Sequence, residues 1–108
     1  LQQLMSVFAA AIDALFADPN LGVDTVYRVG GVHPEVPVRA IVRQPDRIGE
    51  FGETRIVAET VMIDVRVSEI AAPAEGDTIE VNGMVYVVQG EPIRDAERLV
   101  WSIEARRQ

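Results

Sequence analysis

The spacing of apolar residues changes once along this chain, and that change limits its fold more than any other feature. Leu1, Leu4, Met5, Phe8, Ile12, Leu15 and Phe16 recur three and four residues apart, which gathers them on one face of a helix. Pro19 cannot donate a backbone hydrogen bond and disfavours α conformation in the residue before it. The helix is therefore expected to stop near Asp18, Pro19 and Asn20. Beyond that point the period is two.

Alternation of apolar and polar residues predicts strands. Thr25 to Val29 is a short first one, closed by Gly30 and Gly31. In the second, Val36 to Gln44, the side chains of Val36, Val38, Ala40 and Val42 face one way and Arg39 and Arg43 the other. Pro45 to Arg55 holds Gly49, Gly52, mixed charges and Phe51, and reads as a long loop. The third strand, about Ile56 to Ser68, puts Val61, Ile63, Val65 and Val67 inward and Met62, Asp64 and Arg66 outward. After a turn region from Ala71 to Gly76, Thr78 to Val81 and Met84 to Gln89 flank Asn82-Gly83. An Asn-Gly pair between alternating apolar runs marks a hairpin, because both central positions of a type I′ turn need positive φ. Asp95, Ala96 and Glu97 supply the turn before a last strand, Arg98 to Arg106. There Leu99, Trp101 and Ile103 share one face and Val100, Ser102 and Glu104 the other.

Five or six strands with short connections and one helix cannot be covered on both faces in 108 residues, so closure is favoured over an open sheet. The expected fold is mainly β: a small five- to six-stranded antiparallel β-barrel with one N-terminal α-helix and a long loop between the second and third strands. No low-complexity linker divides the chain, so residues 1–108 are expected to form one domain, with the helix over 1–18 and the barrel over 24–106. Apolar residues at 48% and charged residues at 25% are enough for a packed core. The helix's apolar face is large for so small a barrel. It either covers the barrel's own core or docks into a neighbouring subunit, and on the barrel it either plugs one mouth or docks elsewhere.

Charge and residue inventory narrow the chemistry. The 10 basic and 17 acidic residues leave a net charge of −7, which repels a nucleic-acid backbone. No apolar run approaches the ~20 residues needed to cross a bilayer. The N-terminal apolar segment carries Asp13 with no basic stretch ahead of it, so the chain reads as soluble and not secreted. Zero cysteines rule out disulfides and thiolate ligands. The single histidine, His33, lies between Val32 and Pro34 with no serine near it in sequence, and reads as a surface-loop residue. Asp46, Glu50 and Glu53 share a loop with Arg47 and Arg55, but at no metal-ligand spacing. Tyr27, Tyr86 and Trp101 could be imagined as a base-stacking platform, a function that also needs a basic groove. They read instead as core or subunit-contact residues. No catalytic, cofactor-binding or metal site is expected.

The run from Gly76 to Arg106, GDTIEVNGMVYVVQGEPIRDAERLVWSIEAR, resembles the head-tail joining proteins of tailed bacteriophages and prophages. The likeness lies in a Gly-Asp-Thr opening, the Asn-Gly hairpin, a Tyr-Val-Val-Gln-Gly strand end, an Ile-Arg-Asp turn and a closing Leu-Val-Trp strand. Upstream, Val36-Pro37-Val38-Arg39-Ala40, Phe51-Gly52-Glu53-Thr54-Arg55 and Asp64-Val65-Arg66-Val67 sit where that family has similar segments. What the resemblance implies is a subunit of a hexameric ring of the stopper type, between a portal-side connector and the tail terminator or tail-tube protein. Such a subunit belongs to the virion's head-tail interface and is assembled in the bacterial host cytoplasm. Packaged DNA would pass through it without specific binding, and neither membrane nor cofactor is involved.

In related connector rings the loop between the second and third strands projects towards the channel. Here that loop is Asp46, Arg47, Ile48, Gly49, Glu50, Phe51, Gly52, Glu53, Thr54 and Arg55. Its net charge of −1 suits a gate or a slippery wall better than a grip on DNA. Leu4, Phe8 and Ile12 on the helix, with Arg94, Asp95 and Arg98, are expected contacts to a subunit or partner. Three alternatives stand beside this: a tail terminator or tail-tube subunit, a small barrel binding a peptide or oligonucleotide, and an enzyme with a carboxylate site. The last two would need, respectively, an exposed aromatic and basic groove, and carboxylates converging in a pocket.

Overall fold

The computed structural model describes residues 2–43 and 60–108, with side chains from Ser6 onward. Helix α1 spans Gln2–Ala17, and the strands are β1 (Val23–Arg28), β2 (Glu35–Arg43), β3 (Thr60–Arg66), β4 (Thr78–Val81), β5 (Met84–Val88), β6 (Ile93–Arg94) and β7 (Val100–Arg107). The strand order β3-β2-β1-β4-β5-β7 returns on itself through a β3–β7 ladder, so six antiparallel strands close a barrel. That ladder runs from Thr60 opposite Arg106 to Arg66 opposite Val100. The other edge of β7 is shared: β5 pairs with its far end, Val88 opposite Ala105, and the two-residue β6 with its near end, Ile93 opposite Ser102.

Alternation fills the barrel as the apolar pattern requires. Val61, Ile63 and Val65 of β3 are buried, and Met62, Asp64 and Arg66 between them are not. Val38 and Ala40 of β2, Ile79 and Val81 of β4, and Ile103 and Ala105 of β7 meet them in one cluster, with Val36, Val42 and Trp101 packed at its rim. Each fully buried Val or Ile contributes roughly 1.5–3 kcal/mol of transfer free energy. The Asn82-Gly83 turn has positive φ at both positions, 52° and 83°, as a type I′ hairpin demands.

The structure moves some sequence-based boundaries. β1 starts two residues before Thr25 and stops at Arg28, because Val29 enters a short 3₁₀ turn, Val29–Gly31. β3 ends at Arg66, although Val67 N–H still donates to Leu99 C=O at 2.9 Å. Arg98 and Leu99 belong to the turn before β7, with Arg98 at φ 59°. Residues 56–59, expected to begin the third strand, lie outside the described residues.

Helix α1 does not plug a barrel mouth. Its last turns rest on the outer wall, where the outward side chains of Arg39 on β2 and Arg66 on β3 receive it. The strand directions also fix which connections share an end. Arg43 and Thr60, which bracket residues 44–59, lie at the end that carries the Asn82-Gly83 turn. The Val29–Gly31 turn and the start of β4 lie at the opposite end, where Arg28 faces Thr78.

Candidate functional site

At the end away from residues 44–59, a buried carboxylate ties two connections together. Asp77 accepts the Tyr27 phenol proton, the Gly30 amide at 2.8 Å and the Ala74 amide at 3.0 Å. Both side chains sit inside the fold, Tyr27 1% and Asp77 4% exposed. Burial, and then the hydrogen bond to Asp77, push the Tyr27 phenol well above the usual tyrosine range. With three donors on it, this carboxylate holds the β1–β2 turn against the segment entering β4.

The second polar cluster clasps α1 to the barrel. Arg39 Nε donates to the Phe16 carbonyl at 2.6 Å and its Nη1 pairs with Asp24 at 3.0 Å. Arg66 reaches Asp13 and Glu69, each at 3.0 Å, while its guanidinium lies 5.3 Å from the centre of the Phe16 ring. Glu69 also accepts the Arg39 backbone N–H at 3.0 Å. Gly22 lets the chain turn back beneath this cluster, since a Cβ there would stand 2.3 Å from the Phe16 carbonyl oxygen. Among the described residues, Arg66 Nε is the single buried side-chain polar atom without a partner.

Further ion pairs line the outer wall. Arg28 bridges Glu35 and Glu80, and it holds the Glu35 carboxyl below the usual carboxylate range. Arg43 forms a fork with both oxygens of Asp64, just beside the start of the segment 44–59.

The sequence-predicted site residues fall into separate places. Asp46 to Arg55 lie outside the described residues, as does the side chain of Leu4. Phe8 is 39% exposed, and Ile12 is half-buried in a hollow with Asp13, Arg66 and Leu99. Among the described residues Arg94, Asp95 and Arg98 form no ion pair with Glu97 or with one another, although the Arg98 amide donates to the Asp95 carbonyl at 3.0 Å. Arg94 stacks on Trp101 at 5.1 Å, and the Asp95 carboxylate accepts the Leu99 and Val100 amides, which makes it a turn residue. His33 is exposed. Tyr27 and Tyr86 are buried, and Trp101 packs at the core's rim with its indole N–H on the Ile70 carbonyl, so the three form no stacking platform.

The Asp77 staple and the Arg39–Arg66–Glu69 clasp were not foreseen as units. The Gly-Asp-Thr opening contains Asp77, but nothing in the sequence pairs it with Tyr27. Arg39 and Arg66 were legible only as outward residues of their strands.

The polar clusters described above hold the barrel's turns and its helix, and the helix keeps apolar surface in solvent. The family model described as Phage Head-Tail Attachment protein matches residues 5–105, and the chain belongs to that family. Membership gives it a structural role at the phage head-tail junction, in association with other head and tail proteins, and assigns it to the virion. No curated protein and no solved structure matches the chain. Among the described residues no helix is long and apolar enough to cross a membrane, and no three potential ligands gather for a metal ion.

Proposed function

We propose that the protein is one subunit of a hexameric stopper-type ring, seated between the portal-side connector and the tail terminator or tail tube. In this reading Asp46 to Arg55 line the channel through which packaged DNA passes without specific binding, and α1 contacts a neighbour through Phe8 and Ile12. Assembly takes place in the host cytoplasm, and residues 1–108 act as one domain. The observation that carries the reading is the family match over residues 5–105. The rooting of residues 44–59 between Arg43 and Thr60 at a single barrel end supports it, because one end of every subunit can then face the ring axis.

The burial of Tyr27 and Tyr86 speaks against an oligonucleotide-binding barrel, which needs exposed aromatic faces in a basic groove. The test is mass in solution by light scattering across protein concentration, alone and with the portal-side connector ring. Closed rings, alone or on the connector, support the stopper reading. A monomer indifferent to the connector but captured by the tail tube would make it a tail terminator.

A further inference from the structure

Among the described residues, two surfaces leave apolar side chains in solvent. The first is α1. Among its residues only Gln2, Gln3, Ser6 and Asp13 are polar, and a helix apolar on nearly every side belongs in an interior. Yet among its described side chains only Phe16 is fully buried, while Val7 is 62% and Leu15 47% exposed. Asp13, the helix's one charge, is already paired with Arg66. What remains outward is uncharged, so its complement is apolar.

The second surface is the Val29–Gly31 turn at the staple end. Its order comes from hydrogen bonds: Gly30 N–H is held by Asp77 at 2.8 Å, and Val32 N–H reaches the Val29 carbonyl at 3.2 Å. The turn rests on Thr78, whose Cγ2 would lie 3.5 Å from a Cβ at Gly31. This fixed turn nevertheless presents Val29 and Val32 to solvent, each 62% exposed. A buried carboxylate thus stabilises a small apolar knob whose two valines are left largely exposed among the described residues.

We infer that the Val29/Val32 knob of one copy docks on the Val7–Phe8–Leu15 face of α1 in the next copy. The occupant is a second copy because the chain carries both halves of the match: an uncharged apolar face and a pre-ordered apolar knob. The two surfaces differ and lie on different parts of the barrel, so the contact is heterologous and repeats from copy to copy, closing into a ring when the rotation permits. The inference rests on the ring reading above and names the contact within it.

The chain has no cysteine, so introduced thiols report without background. Val7→Cys and Val32→Cys proteins, mixed in equal amounts and oxidised, should form a disulfide heterodimer. The control replaces Val32→Cys by Glu91→Cys at another exposed position. Contact raises the local thiol concentration, so the adduct should exceed the control by about tenfold. Equal yields from the two mixtures, or Val7→Cys homodimers alone, overturn the inference.

A second measurement separates the two readings. Val29→Glu/Val32→Glu and Val7→Glu/Phe8→Glu proteins should each fail to assemble alone and stop at a heterodimer when mixed, because each retains one intact half. If both variants form rings like the unmodified chain, the knob contact is wrong and the ring stands. If the disulfide forms while the unmodified chain builds no closed ring, the contact stands and the ring reading falls.

Discussion

The phenol of Tyr27 donates its hydrogen bond to the carboxylate of Asp77, fifty residues further along the chain, and both groups are out of water. The same carboxylate holds Gly30 and Ala74, so one side chain secures two connections at one barrel end. Asp77→Ala leaves those donors without an acceptor. The expected cost is about 3 kcal/mol, since each buried unsatisfied group costs roughly 1–3 kcal/mol. Urea unfolding followed by tryptophan fluorescence measures it. A loss below the uncertainty of the extrapolation would show that water replaces the carboxylate.

The raised Tyr27 phenol has a consequence at alkaline pH. The unfolded chain releases that proton near the ordinary value of 10.0, whereas the native state keeps it. The native form then binds more protons than the unfolded one, so the stabilisation is complete below pH 10 and is lost as pH rises beyond it. The slope is about 1.4 kcal/mol per pH unit. Tyr27→Phe removes the slope and leaves a less stable protein at neutral pH. Denaturant midpoints of both proteins at pH 8 and pH 11 should therefore converge. Parallel pH dependence would contradict the assignment.

Gly22→Ala should loosen the helix from the wall. A methyl group there meets the Phe16 carbonyl oxygen at 2.3 Å and Arg39 Nε at 2.8 Å, so one or both must move. Overpacking of this kind costs roughly 1–3 kcal/mol. The barrel does not depend on the helix for closure, so the damage should be local. Hydrogen exchange is expected to quicken in α1 and stay unchanged in β3 and β7. Uniformly faster exchange would show that the clasp is part of one cooperative unit.

Ile63 lies at the centre of the barrel, fully buried, on a strand paired on both sides. Ile63→Ala should cost about 3 kcal/mol, within the roughly 2–5 kcal/mol of a buried Ile truncation. Arg43→Ala, on the half-exposed side of its fork with Asp64, should cost less than about 1 kcal/mol. Equilibrium denaturation of both variants checks the contrast. Comparable losses would mean that the fork is better shielded from solvent than its exposure indicates.

The barrel was legible because its signals are local and periodic. Val61, Ile63 and Val65 alternate with polar neighbours, Asn82-Gly83 sets one hairpin, and Pro19 ends the helix, so each can be read within a few residues. The contacts that organise the candidate site are not of that kind. Tyr27 and Asp77 come together only because β1 and β4 are neighbours in the closed order, and Arg66 meets Asp13 only because α1 folds back over β3. Asp95 has a local use that its charge alone does not disclose: its carboxylate accepts the Leu99 and Val100 amides of its own turn. The placement of α1 was open for a related reason: amphipathic spacing says which side is apolar and not which surface receives it.

The double partnership of β7 also determines when the molecule can come into being. Because β7 bridges β3 to β5, a nascent chain that has yet to emit residues 100–107 holds two unsealed sheet margins and no enclosed interior. The Asp77 staple and the α1 clasp can gather beforehand, but the barrel itself must wait. A chain truncated ahead of Val100 would therefore present unpaired strand edges and is expected to be prone to aggregation and proteolysis.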